Sequence, residues 1–426
     1  MTSLLLAFPH PFINHMPESM AHKPLKNYLA CVAIDIGTTG TGYAFSTLEE
    51  FRINQLDVTL NDPWTEEFRG LLALKAPTCI LFDPTMKFHA FGYEAENKYT
   101  DLATKDAHGD WYYFERFKLH LFKTEIAMDL QIEDAIGKKV SALLVVTEAI
   151  KYIRERALAC LARHQPQMRE HQVQWVLTVP SIWKQSTTTF IQAAATKARA
   201  LCFENFDSDV DRIKSSNLII ANESNAASVF CLFDRSERGN IRGLDTQPVG
   251  TKYMVVDIGG GTTDITVHER VSKMEIREAY EPSGLSLGGV AVDEAFVTFM
   301  IELLGEGTMN RFRVQACNEF VKWIKEFERL KQDVPAIDKK AKQAFLIHIP
   351  NRLNEIYKSL NDKTISELTE SGKFKYKGKI KMTDERELAT EVRFFGTGPR
   401  LIKSRTILGE IRIGVMHTSN EAYSVR

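Results

Sequence analysis

Apolar positions along the chain follow two periods, and each change of period marks an element. Leu29 to Ile36 is a short apolar run with Asp35 near its end, followed by Gly37-Thr38-Thr39-Gly40-Thr41-Gly42 and then Tyr43-Ala44-Phe45. A compact apolar run, a small-residue turn and a second run predict strand, tight turn, strand. Cys79 to Phe82 and Phe88 to Phe91 predict two further short strands, with Pro77 before them. Residues 141–163 change to helical spacing. Leu143, Val146, Ala149, Ile150, Ile153, Ala157 and Leu161 share one stripe, with Lys151, Arg154 and Glu155 opposite. Val173 to Val179 is a strand ending at Pro180, and Leu218-Ile219-Ile220 is another. Between them Ser186 is the expected N-cap of a helix over 187–201. Residues 234–250 are charged and aperiodic and predict a surface linker.

The opening pattern then returns. Tyr253-Met254-Val255-Val256-Asp257-Ile258-Gly259-Gly260-Gly261-Thr262-Thr263-Asp264 has the form of Val32-Ala33-Ile34-Asp35-Ile36-Gly37-Thr38-Thr39. Each is an apolar strand, Asp-Ile-Gly and a small-residue turn. A single repeat at this separation predicts two similar halves rather than a solenoid.

Composition narrows the picture. The chain has 426 residues, 44% hydrophobic and 26% charged, enough for two or more domains. A net charge of −1 gives no electrostatic reason to expect nucleic acid or membrane as partner. None of the six cysteines forms a CxxC pair, so structural zinc and a disulfide framework are not expected and a reducing compartment fits. No apolar run approaches the length of a membrane span. Residues 1–28 read as a flexible tail rather than a signal peptide, because no basic residue precedes His10.

The repeated turn carries the chemistry. Glycine lets another group approach the backbone closely. Consecutive N–H groups in such a turn form a concave anion site, and threonine hydroxyls add donors. Asp35 and Asp257 stand where the strands end, and Asp264 follows the second turn. Carboxylates beside phosphates repel them unless a cation lies between, and Mg²⁺, which keeps several waters, suits sparse carboxylates. One copy alone reads as an ordinary hairpin; two copies in one frame point to a polyphosphate gripped from both sides. The chain has no GxxxxGK[ST] motif, and no GxGxxG follows a strand.

These residues resemble the actin-like ATPase superfamily. Within it they resemble the nucleotide-binding domain of the heat-shock 70 family, in its divergent 12A/12B-like branch. Beyond the two Asp-Ile-Gly motifs, the resemblance rests on Glu223-Ser224-Asn225-Ala226-Ala227-Ser228, on Thr178-Val179-Pro180-Ser181-Ile182-Trp183-Lys184-Gln185 and on Trp111 to Lys118. It runs from about residue 29 to about residue 384. It implies an α/β actin-like ATPase domain, two ribonuclease-H-like lobes around a nucleotide cleft. The division it implies is 1–28 tail, 29–245 first lobe, 246–384 second lobe and 385–426 a divergent segment. It implies ATP or ADP with Mg²⁺ as ligands.

Gly37, Thr38 and Thr39, with Gly259, Gly260, Gly261 and Thr262, would hold the β- and γ-phosphates. Asp35 and Asp257 would position Mg²⁺ through its waters. Asp264 and Glu223 would orient the metal waters and the attacking water. Lys118 or Arg116 would supply the cation near the γ-phosphate. Gly288 and Gly289 would approach the nucleotide, and Glu328 and Lys331 would contact adenosine unless they form a solvated helix face.

The sequence departs from the family pattern in places. Ser224 stands where the family has proline, Thr188 where it has an arginine, and Gln332 where a basic residue would stack on adenine. The Gly-Gly-x-x-x-Ser adenosine loop has no counterpart after Ile380 to Asp384, and Gly396-Thr397-Gly398-Pro399 is a poor substitute, so the second lobe is expected to be incomplete. Lys373, Lys375, Lys377, Lys379 and Lys381 alternate with other residues as one basic-faced strand, a pattern that blocks edge pairing. The expected function is an ATP-binding, weakly hydrolysing chaperone-like protein of the cytoplasm or nucleus, with clients or co-chaperones as partners. The alternatives are a non-hydrolysing scaffold of the same fold, or a sugar or metabolite kinase.

Overall fold

The computed structural model describes residues 28–54, 57–66, 71–122, 126–201, 217–233, 248–272, 275–332, 345–370, 375–376, 379–382, 401–404 and 413–417. The expected tail up to residue 27, most of the expected linker, the Gly396–Pro399 segment, Lys373 and Lys377 lie outside the described residues. The described residues form two compact units. The first takes those within Met1–Asn97, Gly109–Gly288 and Phe395–Ser424, the second those within Lys98–His108 and Gly289–Phe394.

The main sheet of the first unit contains β1 (Ala30–Ile36), β2 (Gly40–Thr47), β3 (Thr59–Leu60), β4 (Val173–Val179) and β5 (Leu218–Asn222), in the order β5-β4-β1-β2-β3. β1 runs parallel to β4 and β4 to β5, whereas β1–β2 and β2–β3 are antiparallel. This mixed order, a three-strand meander extended by parallel strands on one side, is that of a ribonuclease-H-like lobe. Period-2 alternation feeds two cores. Ala30, Val32, Ile34 and Ile36 enter the larger one, while Cys31 and Ala33 enter the other. Asp35 falls in the row of Cys31 and Ala33, so strand pleating sets which face it shares.

Two helices cover this sheet, α1 (Ala142–His164) and α2 (Gln185–Leu201). Val146, Ala149, Ile150, Ile153, Ala157 and Leu161 of α1 are buried in the larger core, and Leu143 packs against it. Arg154 departs from the expected polar face. It is 5% exposed, paired with Glu170, and its guanidinium lies 5.8 Å from the Trp175 ring centroid. A buried arginine is tolerated when a carboxylate and an aromatic face replace its water. Ser186 is not the N-cap: α2 begins one residue earlier, and the Thr187 and Thr188 amides already donate to the Lys184 carbonyl.

α3 (Glu223–Phe233) leads towards a second antiparallel sheet of β6 (Lys252–Ile258), β7 (Thr263–Ser272), β8 (Glu275–Leu285), β9 (Leu401–Ser404) and β10 (Ile413–His417), ordered β8-β7-β6-β10-β9. The β6–β7 hairpin repeats β1–β2, with Asp257 opposite Asp264 where Asp35 stands opposite Gly42. The neighbour of β6 differs from that of β1: β10 runs antiparallel, where β4 runs parallel. A parallel neighbour requires a crossover connection, and here the position is filled from the C-terminal segment. α3 is tied to β7 by a 2.5 Å hydrogen bond between Ser228 Oγ and His268 Nδ1. Burial lowers the His268 pKa to about 4, so the ring is neutral near pH 7.

The second unit is built on α4 (Gly289–Leu304), α5 (Glu306–Gln315), α6 (Cys317–Gln332), α7 (Asn351–Asn361) and α8 (Ile365–Glu370). Its core centres on Phe296, Met300, Phe312, Trp323 and Leu353, with Phe296 and Phe327 stacked at 4.0 Å. The lysine run expected to be a single strand is split: Lys375–Tyr376 pairs antiparallel with Lys379–Met382, which also pairs with Phe345–His348. No helix among the described residues is long and apolar enough to cross a membrane.

Candidate nucleotide and metal site

The two Asp-Ile-Gly turns close in the same way. The Gly37 amide donates to the Gly40 carbonyl at 3.1 Å, and the Gly259 amide donates to the Thr262 carbonyl at 2.8 Å. Thr78 anchors the first turn: its Oγ1 donates to the Gly37 carbonyl at 2.8 Å, and its amide donates to the Thr39 carbonyl at 3.1 Å. The turns also meet. A Cβ on Gly260 would lie 2.2 Å from Thr39 Oγ1, and one on Gly261 2.4 Å from Thr38 Oγ1. Glycine is therefore required at both positions by the opposite turn as well as by any ligand.

Gly288 closes on the second turn from a third direction, where a Cβ would lie 2.6 Å from both the Gly259 carbonyl oxygen and the Gly260 carbonyl carbon. Backbone cannot yield as a side-chain tip can. Gly288→Ala is expected to cost about 1–3 kcal/mol, in the range of other overpacked sites. Thermal unfolding measures it, and an unchanged Tm would refute the close approach.

Around these turns gather carboxylates from four elements. Asp35 and Asp257 end their strands, Asp264 faces Asp257 across the hairpin, and Glu223 opens α3. Two cations face them. Lys118, in the 3₁₀ turn Phe117–Phe122, is 8% exposed and places Nζ 2.8 Å from Glu223 Oε1. Lys75 places Nζ 3.0 Å from Asp35 Oδ2. Arg116, the alternative to Lys118, instead forms the corner ahead of it, with φ of 52° and its amide bonded to the Thr78 carbonyl.

The charge balance splits the carboxylates. Burial alone would raise the Asp35 pKa, but the Lys75 and Lys118 ammonium groups outweigh it and hold the carboxyl below its usual value. Asp257 is pushed up to about 7, by burial first and then by Glu223 and Asp35. Asp264 is likewise raised to about 7 by burial, then by Glu223 and Asp257, with Lys118 and the Ser181 amide pulling the other way.

This arrangement fits a divalent cation. Asp264 is 1% exposed, and its carboxylate oxygens make no regular hydrogen bond, the Ser181 amide lying near them without completing one. A buried carboxylate without donors is costly and calls for water or a cation. Among the described residues no three His, Cys, Asp or Glu side chains lie close enough to ligate one ion directly. A Mg²⁺ ion, which keeps its own waters, would be held here by Asp257, Asp264 and Asp35 through those waters.

The remaining expected residues lie in the second unit. Lys331 Nζ donates to the Gly289 carbonyl at 2.9 Å and to Asp293 Oδ1 at 2.6 Å, so it secures the first turn of α4. Glu328 lies beside Lys331 on α6, partly buried. The sequence reading missed Lys75. Its signal was weak, a lysine ahead of Ala76-Pro77-Thr78, and only pairing of β2 with Ala76–Pro77 carries it to Asp35.

Among curated proteins the chain is similar to human heat shock 70 kDa protein 12B, with 33% identity over 353 residues, 72% of this chain and 49% of the relative. It is 30% identical to human heat shock 70 kDa protein 12A over 370 residues, 76% of this chain and 52% of the relative. This chain is a homologue of the heat shock 70 kDa proteins 12A and 12B. The mouse 12A protein matches at 32% over 353 residues, 72% of this chain and 50% of the relative. The chain spans about half the length of the curated relatives it matches. No family model matches it. The structure is similar to that of MreB5 of Spiroplasma citri bound to ADP, with a TM-score of 0.40 and 12% identity over 82% of this chain and 80% of that one. At that level the likeness bears on neither ligand nor function.

Proposed function

We propose that the chain binds ATP with Mg²⁺ and hydrolyses it slowly, as a chaperone-like member of the 12A/12B branch acting in the cytoplasm or nucleus. The observation that carries this reading is the convergence of Asp35, Asp257, Asp264 and Glu223 with Lys118 on two identically closed glycine turns. The turn amides and threonine hydroxyls bind the phosphate chain, and Lys118 neutralises charge at its terminal group. The metal supplies further neutralisation of the phosphate oxygens. Glu223 and Asp264 hold the attacking water and accept its proton. A carboxylate with a pKa near 7 is suited to that acceptance at neutral pH. Positioning and charge neutralisation suffice for phosphoryl transfer, so no covalent intermediate on the protein is needed.

ATP and ADP titrations with and without Mg²⁺ test the reading. Asp257→Ala should weaken Mg²⁺-dependent binding at least about tenfold, equal to about 1.4 kcal/mol. Equal or metal-independent binding by the two proteins contradicts it. A second reading, a non-hydrolysing scaffold, is favoured by one feature: Thr38 and Thr39 pack directly on Gly261 and Gly260. A polyphosphate must part these turns, and a chain that keeps them closed is a scaffold. Single-turnover hydrolysis separates the two.

A further inference from the structure

Trp183 stands at the site without a part in the reading above. It follows β4, and its amide donates to the Pro180 carbonyl at 3.2 Å, a turn that fixes the direction of the side chain. The Lys118 ammonium lies 5.3 Å from the indole centroid, over the ring. Glu223, 2.8 Å from the same ammonium, holds it as a charged partner. Lys118 is thus shared between a carboxylate and an aromatic face, two attractions of unequal strength. A mobile ammonium can leave the carboxylate for a stronger anion while remaining on the ring.

Two small voids flank Lys118, and Trp183 lines both. One is apolar, walled by Ile36, Phe117 and Leu177 among others. The other is bounded by Thr38 of the first turn and Thr262 of the second. Trp183 therefore borders the space that the two phosphate-binding turns share with Lys118. Its indole Nε1–H is buried and has no hydrogen-bond acceptor. A phenylalanine would offer the core an aromatic ring without burying an unsatisfied donor.

Resting on the nucleotide reading above, we infer that Trp183 is a phosphoryl-contacting residue: its N–H donates to an oxygen of the terminal phosphate group, and its ring face carries Lys118 from Glu223 to that group. The ligand class is a tetrahedral phosphoryl dianion, either the γ-phosphate of a nucleoside triphosphate or free inorganic phosphate beside the diphosphate. ADP alone does not reach the residue.

The test compares the wild-type chain with Trp183→Phe and Trp183→Leu in Mg²⁺ buffer, using MgATP, MgADP, and MgADP with added inorganic phosphate. Trp183→Phe keeps the ring face and loses the donor. It should weaken MgATP about five- to tenfold and leave MgADP within twofold, with an unchanged Tm. Trp183→Leu loses both and should also slow single-turnover hydrolysis at least tenfold. Synergy between inorganic phosphate and MgADP in the wild-type chain, lost in Trp183→Phe, would assign the contact to free phosphate as well. Loss confined to MgATP would assign it to the γ-phosphate. A Trp183→Phe protein that keeps the wild-type Tm and the wild-type ratio of ATP to ADP affinity overturns the inference. A wild-type chain that binds neither nucleotide overturns the nucleotide reading itself.

Discussion

Replacing Asp264 by asparagine should make the ligand-free protein more stable at pH 8 while removing Mg²⁺-dependent nucleotide binding. The side chain is 1% exposed, neither oxygen makes a regular hydrogen bond, and its pKa is raised to about 7. The unfolded chain ionises this group near the ordinary value of about 3.9. Between those values the folded state holds a proton that the unfolded state has released, so stability falls as pH rises through that window and stays low above it. Integrated over about three pH units, the cost is on the order of 2–4 kcal/mol, part of it due to the neighbouring Asp257 charge. Asparagine has no charge to desolvate. Its advantage should therefore be greatest at pH 8 and vanish near pH 4, as measured by denaturant unfolding across that range. A pH-independent difference between the two proteins would refute the assignment. Binding should move the opposite way. Cation and protons compete for the same carboxylates, so wild-type Mg²⁺-dependent affinity should rise from pH 6 to pH 8, and the variant should show no such rise.

The second large effect concerns Lys118. Lys118→Met should lower single-turnover hydrolysis at least about 100-fold, the scale of losing one preorganised charge at a phosphoryl group. MgADP affinity should change far less, because the cation serves the terminal phosphate. The same change leaves Glu223, whose side chain is partly buried at 20% exposed, without its cation. Breaking such a pair is destabilising by on the order of 3 kcal/mol. Pairing Lys118→Met with Glu223→Gln should recover most of the stability and none of the hydrolysis. Hydrolysis that returns with stability would show Lys118 to be structural.

The strands were legible because they are short apolar runs, buried throughout in Cys79–Phe82 and Val173–Val179 and over Ala90–Phe91 in the third. Cys79–Phe82, Phe88–Phe91 and Val173–Val179 have the bounds that their apolar runs predict. The stripe of α1 was legible because one helical face is buried and the other is not, down to Leu161. Arg154 was not, because a charged residue enters a core only where a distant partner awaits it, here Glu170 and the Trp175 ring. The cap at Ser186 was missed because the preceding turn after Pro180 already supplies the Lys184 carbonyl as first acceptor. The lysine run was misread as one strand because alternation is the same within one strand and across a hairpin.

By itself the sequence determined the two Asp-Ile-Gly turns, their glycines and the aspartates that flank them, since local backbone chemistry and strand pleating dictate all three. It also determined the relation to the 12A/12B proteins. Tertiary structure alone decided which cation faces which carboxylate. Lys118 meets Glu223 and Lys75 meets Asp35 across separations of 105 and 40 residues. It also decided that β6 takes an antiparallel neighbour, and that Asp257 and Asp264 exchange their protons near neutral pH while Asp35 is held below the usual carboxylate range. The reason is physical: a carboxylate's charge depends on the water removed from it and the ammonium groups brought to it, and both are set by segments far away in the chain.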